Sequence, residues 1–327
     1  IVVRILFQPA EEMSLAAFGK LMALERDQAE KNAKEAEEMR GKTRNERKNE
    51  NGRESGGGAS IDGATVSSVA PPKYRKKSRG SLLVTNLVLT TLRSWLLLLG
   101  LIGLTFAVFG PPFSHLALHL LYGSTWSATR APAALSFFSV YVLFMAVNGI
   151  CEAFVQGTSS ERGLSAYNIW MILFSVLYMG AVIILLPKYG AIGLVMANIF
   201  KMACRISVCT LAYIRPYFRE RTIPNFTLRS LMPARLVLTA YALAAVALQC
   251  SARWVYAEGG AAFFVNMLGG DEFGQSARAA LIRGGLHVGV GVACLAVVGG
   301  SVAKSHRDVL EPMFSTRASP GKTMKRD

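Results

Sequence analysis

The chain has 327 residues, of which 52 % are hydrophobic and only 17 % charged, with a formal net charge of +15. Its mean hydropathy is +0.34, whereas a water-soluble domain of this size keeps a polar average. Composition therefore excludes an ordinary soluble enzyme and directs attention to runs long enough to cross a bilayer.

The first segment, residues 1–25, contains RILFQPAEEM from Arg4 to Met13. It starts with Ile and shows no basic leader or cleavage site, so it reads as a fragment or as a chain that has lost its start. Ile1 to Leu24 would be ~36 Å long as a helix, enough to span. It reads as a polar, Pro-kinked membrane helix.

Residues 26–80 mix charges and then run into Gly and Ser with little to bury, which predicts a disordered basic cytoplasmic loop. At most, the preceding helix extends a few turns into it. Its last part, KYRKKSR from Lys73 to Arg79, reads either as a positive-inside anchor or as a contact for anionic headgroups.

Six long apolar runs follow within residues 81–303: Ser81 to Ala107, Ala133 to Val155, Tyr167 to Leu186, Ala191 to Ile214, Leu236 to Tyr256 and Ala279 to Ala303. Each meets the roughly 20-residue length of a membrane helix. Between the first two, Pro111 and Pro112 are expected to end a helix, leaving Phe113 to Tyr122 as a short piece at the far interface. Residues 304–327 form a basic tail. The fold class is an all-α polytopic membrane protein with about seven membrane helices, the first included.

The location of the basic residues decides what the charge means. If residues 26–80 are cytoplasmic, alternating connections hold 26 Lys and Arg on that side and 3 on the other. Without the longest loop the split is still 12 to 3. This is the positive-inside pattern, with the C-terminus in the cytoplasm, and not a nucleic-acid footprint.

Ionisable residues inside the spans are costly and need a partner or a water-filled cavity. Lys20, Arg253 and Arg283 lie near helix ends and can snorkel. Asn198, Lys201 and Arg205 fall at i, i+3 and i+7 on one helical face, two cations four residues apart. Such a pair calls for an anion, either a carboxylate or a substrate. The carboxylates within the spans are Glu11, Glu12 and Glu152. Asn148 and Glu152 form a second i, i+4 polar face, and Arg93 is central in its run. These residues describe either a static network of ion pairs or a hydrated, substrate-facing cavity. Arg4, Arg93, Lys201 and Arg205 outnumber the three carboxylates by one, which favours an anionic ligand. Pro9 is either a simple kink or a bend lining that cavity.

Other signals carry less. The five cysteines lie in apolar runs without CxxC spacing and read as small packing residues. His115 and His119 have i, i+4 spacing but no third metal ligand. Gly285 with Gly289, and Gly193 with Ala197, suit close helix packing. NFT at Asn225 is a sequon on the cytoplasmic side, where it would be silent. No P-loop, nucleophile pair, cofactor motif or metal set stands out, so no catalytic role is expected.

Four stretches taken in order, RILFQPAEEMS, FSHLALHLLYG, YNIWMILFSV and AIGLVMANIFKMACRI, resemble the Rft family of the endoplasmic reticulum, within the multidrug/oligosaccharidyl-lipid/polysaccharide exporter superfamily. The resemblance implies a two-lobe bundle of about fourteen helices around a central cavity. This chain would supply the second half, from late in helix eight to helix fourteen, and its partner would be the missing N-terminal lobe. It implies translocation of a dolichol-diphosphate-linked oligosaccharide across the endoplasmic reticulum membrane for N-glycosylation. A non-transporting accessory or scaffold role in the same pathway is the alternative. Its partners would be that lipid-linked oligosaccharide and membrane lipids, with no nucleic acid. A lipid diphosphate is an anion that Arg4, Arg93, Lys201 and Arg205 could receive, with Glu11, Glu12, Asn148, Glu152 and Asn198 as further candidate substrate-binding residues.

Overall fold

A computed structural model describes residues 2–54, 79–221, 228–256 and 276–314. The described residues form helices α1 (Val2–Glu54), α2 (Arg79–Tyr122), α3 (Ser124–Ser127), α4 (Ala131–Thr158), α5 (Glu161–Tyr189), α6 (Ala191–Val208), α7 (Arg215–Glu220), α8 (Arg235–Tyr256) and α9 (Ser276–Phe314). A π-helical turn, Cys209–Ile214, joins α6 to α7, and a 3-10 turn, Leu228–Leu231, precedes α8. Among the described residues, six helical stretches are long and apolar enough to cross a membrane: Leu82–Tyr122, Ala131–Thr158, Glu161–Tyr189, Ala191–Glu220, Arg235–Val255 and Arg283–Arg307. They correspond to the six apolar runs of the sequence. The chain is an all-α, multi-pass membrane protein.

Two stretches differ from expectation. Residues 26–54, where the sequence predicts a disordered loop, continue α1 without a break. Ala, Glu, Lys and Arg are good helix formers, no proline intervenes after Pro9, and Lys34 Nζ sits 2.7 Å from Glu30 Oε1 one turn away. A helix already nucleated by packed residues upstream needs only propagation, which such a sequence supports. The remainder of that loop, residues 55–78 with most of KYRKKSR, lies outside the described residues. The far-side connection at 257–275 and the sequon at Asn225 lie outside them too.

The second difference is α2, which does not end at Pro111 and Pro112 but runs on to Tyr122. Neighbouring hydroxyls serve the backbone there: Ser114 Oγ donates to the Pro111 carbonyl at 2.9 Å, and Ser136 Oγ of α4 approaches the same oxygen. The prolines themselves free the carbonyls of Ala107 and Val108, and packing against a neighbouring helix, here α4, is how such breaks are tolerated inside membrane helices. Pro9 likewise sits inside α1 without interrupting it.

Helix α4 is the centre of the packing, touching α1, α2 and α6. Phe7, Phe18, Leu92, Ile150, Phe154, Cys209 and Phe218 belong to the main buried cluster. A second cluster, including Leu101, Val237, Tyr241 and Val298, joins α2 to α8 and α9. Helix α5 packs against α6, and Ile169, Ile172, Val176, Ile183 and Ile184 on it are exposed apolar side chains, as suits contact with lipid. Gly190 makes the turn between these two helices at φ 61°, ψ −136°, a conformation reserved for glycine. Of the expected glycine contacts, Gly193 and Ala197 are buried at this hairpin, whereas Gly285 and Gly289 have open space beside them. Instead Gly291 of α9 receives the Phe113 ring, 2.6 Å from where a Cβ would stand. The described cysteines are free, and Cys151 and Cys209 are buried while Cys250 is exposed.

A charged cleft between α1, α4 and α6

Helix α4 presents Gly149, Ala153 and Gly157 at i, i+4 and i+8, a small-residue stripe of the kind that lets two membrane helices approach closely. Helix α1 lies along it. A Cβ at Gly157 would stand 2.6 Å from Phe18 Cβ, and one at Gly149 would overlap the Glu11 carboxylate. The glycines thus bring Glu11 up to α4 one turn from Glu152.

Glu152 is the hub. It forms an ion pair with Arg205 of α6, the two side chains being 22 % and 12 % exposed. Asn148 Nδ2 donates to Glu152 Oε2 at 3.3 Å, and Gln156 Nε2 donates to its other oxygen at 3.4 Å. Arg205 stands near the middle of the 30-residue span Ala191–Glu220. Its Nε is buried without a hydrogen-bond partner, as is Asn148 Oδ1. The Tyr167 hydroxyl accepts from Cys209 Sγ at 3.6 Å and interacts with Arg205. The π turn begins four residues beyond Arg205, where the Cys209 N–H reaches both the Arg205 and Ile206 carbonyls. Pro216 follows it and has no N–H to offer the preceding turn, so the backbone register changes beside the ion pair.

On the other side of Glu152 a cleft of about 520 Å³ opens between α1 and α4. It is lined by Gln8, Glu11, Glu12, Glu152 and Gln156 with Phe7, Leu15 and Met145 among the apolar walls. Gln8 Nε2 donates to Glu12 Oε1 at 3.2 Å. Glu11 feels the charges of Glu152, Arg205 and Glu12. Three carboxylates and three amides with one guanidinium behind them make a polar, hydrated wall that exchanges hydrogen bonds readily.

Of the residues predicted from sequence, Glu11, Glu12, Asn148, Glu152 and Arg205 come together here. Asn198 and Lys201 turn toward α5: Lys201 Nζ lies 4.5 Å from the Tyr178 ring centroid, and Asn198 Nδ2 donates to the Tyr178 hydroxyl at 3.4 Å. Lys201 still stands one turn from Arg205, and among the described residues no carboxylate pairs with it. Arg93 is exposed on α2 and acts electrostatically on His306 of α9, away from this group. The backbone of Arg4 belongs to α1, and its side chain lies outside the described residues. Sequence reasoning missed Gln156, although Asn148, Glu152 and Gln156 form a legible i, i+4, i+8 series. It also missed Tyr167 and Tyr178, which only the pairing of helices reveals. His119 meets Ser127 at 3.0 Å, and among the described residues no group of three metal-ligating side chains occurs.

Membrane-spanning helices that hold a buried ion pair beside a polar cleft define a membrane protein with charged groups in its interior. The family model described as Rft protein matches residues 75–316, and the chain belongs to that family. It is 34 % identical over 154 residues to the Man(5)GlcNAc(2)-PP-dolichol translocation protein RFT1 of Mus musculus, a match covering 47 % of this chain and 28 % of the relative. The protein of the same name from Xenopus tropicalis is 33 % identical over 171 residues, covering 50 % and 31 %. That from Saccharomyces cerevisiae is 31 % identical over 121 residues, covering 36 % and 21 %. The chain thus covers less than a third of the length of each of these relatives. No solved structure matches it.

Proposed function

We propose that this chain forms one side of a translocation path for a dolichol-diphosphate-linked oligosaccharide across the endoplasmic reticulum membrane, working with a further lobe by alternating access. The relatives' shared name supports the substrate class. The asymmetry of basic residues supports an orientation with the C-terminus in the cytoplasm.

The observation that carries the reading is the Glu152–Arg205 pair, buried at membrane depth beside a cleft lined by further carboxylates. A bundle held by packing alone has no use for it, because burying two ions costs as much as their attraction returns. An arriving diphosphate offers Arg205 a bidentate, doubly charged partner in place of Glu152. Lys201, one turn away and without a carboxylate, adds a second cation. Glu152, released, keeps the amides of Asn148 and Gln156, while Glu11, Glu12 and Gln8 offer hydrogen bonds to the sugar hydroxyls. When substrate leaves, the ion pair re-forms and removes the unpaired charges from the membrane interior.

The test is leaflet exchange of a labelled dolichol-diphosphate oligosaccharide in vesicles containing the intact protein. Exchange is expected with the wild type and is expected to fall at least tenfold with Arg205→Ala. Equal exchange by the two would refute the assignment.

A further inference from the structure

The polar cleft covers one side of α4 and α6, and an apolar cavity of about 410 Å³ occupies the next side of both. Its walls include Gly100 of α2, Val147 and Cys151 of α4, Ile206 of α6 and Thr210 of the π turn, and it runs toward Met232, just before α8, and Leu238 in its first turn. Cys151 is the neighbour of Glu152 and Ile206 the neighbour of Arg205, each rotated by about 100° on its helix. The ion pair and the cavity therefore share two helices back to back. Met232 and Leu238 are exposed, so the cavity is open at the start of α8. Thr210 and Cys151 supply its polar atoms, and they hydrogen-bond to each other. A polar ligand finds nothing to bind there.

Gly100 gives an independent reason to regard the space as kept open. Glycine weakens a helix interior, and where it occurs it usually admits a close neighbour. Gly103, one turn on, does this, with Leu143 Cα 2.8 Å from the place of its Cβ. Gly100 does not, since nothing lies within 4 Å of that point. Its missing side chain adds to the cavity and to nothing else.

We propose that this cavity receives the isoprenoid chain of the polyprenyl diphosphate carrier while the diphosphate engages Arg205. The inference rests on the functional reading above and extends it to the lipid part of the substrate. A chain held beside the ion pair keeps the headgroup from leaving the site laterally. It also lets the protein distinguish a polyprenyl lipid from the phospholipids around it.

Gly100→Leu tests this, because nothing lies within 4 Å of the place of its Cβ and the longer side chain extends into the cavity, and Gly100→Ala serves as the folding control. The intact protein, in vesicles of phosphatidylcholine, is photolabelled with two diphosphate probes that carry the reactive group at the chain end. One has a long polyprenyl chain and the other a two-unit chain too short to reach the cavity from Arg205. The expected result is that Gly100→Leu lowers labelling by the long probe at least fivefold and leaves the short probe unchanged. Arg205→Ala is expected to lower both. Undiminished long-probe labelling in Gly100→Leu would overturn the proposal. So would equal labelling of Gly100 neighbours by a phosphatidylcholine bearing the same reactive group, which would mean bulk lipid only. Loss with Gly100→Leu but none with Arg205→Ala would keep the chain site and sink the diphosphate assignment.

Discussion

The two ends of the packing around α2 solve the same problem in different ways. Where α2 meets α8 and α9, the hydrogen bonds join neutral groups, and the Arg93 charge acts on His306 only electrostatically. Tyr241 of α8 shares a 2.8 Å hydrogen bond with Thr105 and reaches the Leu101 carbonyl at 3.2 Å. His287 of α9 stacks on Phe113 with centroids 4.3 Å apart, meets Ser251 Oγ at 2.9 Å and reaches the Pro112 carbonyl. His306 accepts the Ala234 N–H at 3.0 Å, and α9 bends there, with φ −130° and ψ 20°. Where α4 meets α1 and α6, the polar contacts are ionic and incomplete, with Arg205 Nε and Asn148 Oδ1 left without partners. The first region leaves His306 Nδ1 unpartnered, but beside a helix bend and not beside an ion pair. The second holds polar capacity in reserve, which is what a ligand site requires.

Substitutions should separate the two regions, the most severe first. Glu152→Ala strands the Arg205 charge at membrane depth, and breaking a buried pair from one side costs about 3–5 kcal/mol. Because Glu152 is 22 % exposed, the loss of thermal stability in detergent is expected toward the lower value. Gly149→Leu drives a side chain into Glu11 and separates α1 from α4. Overpacking of this kind costs about 1–3 kcal/mol, and lowered stability with lost exchange is expected. Tyr241→Phe removes the neutral bonds to Thr105 and Leu101, for about 1 kcal/mol, without altering exchange. Arg221→Ala, which releases Glu25 of α1 and the Tyr217 ring at the membrane edge, should cost less than about 1 kcal/mol.

The six apolar helices were legible because hydrophobic length is a strong, local signal. The course of α1 past residue 25 was not, since absence of burial resembles disorder when helix propensity is set aside. The proline pair misled for a related reason: α2 runs on through it packed against α4, a contact that no local pattern displays. At the site, Asn148 with Glu152 and Lys201 with Arg205 could be read from i, i+4 spacing. Sequence could not tell that Arg205 turns to Glu152 while Lys201 turns to Tyr178, because four residues of separation leave each side chain free to choose its neighbour. Arg93 shows the limit most plainly. Its central place in an apolar run implied a shared interior, yet it faces another side of α2.

The central claim is that the Glu152–Arg205 pair is a ligand site and not a structural clamp. The charge-exchanged variant Glu152→Arg/Arg205→Glu tests it most directly, with thermal stability and leaflet exchange of the diphosphate-linked oligosaccharide measured together. The account predicts that the double variant regains most of the stability lost by Glu152→Ala but shows no exchange, because the cation now stands on α4, away from Lys201. Recovery of exchange along with stability would contradict it and leave the pair a clamp.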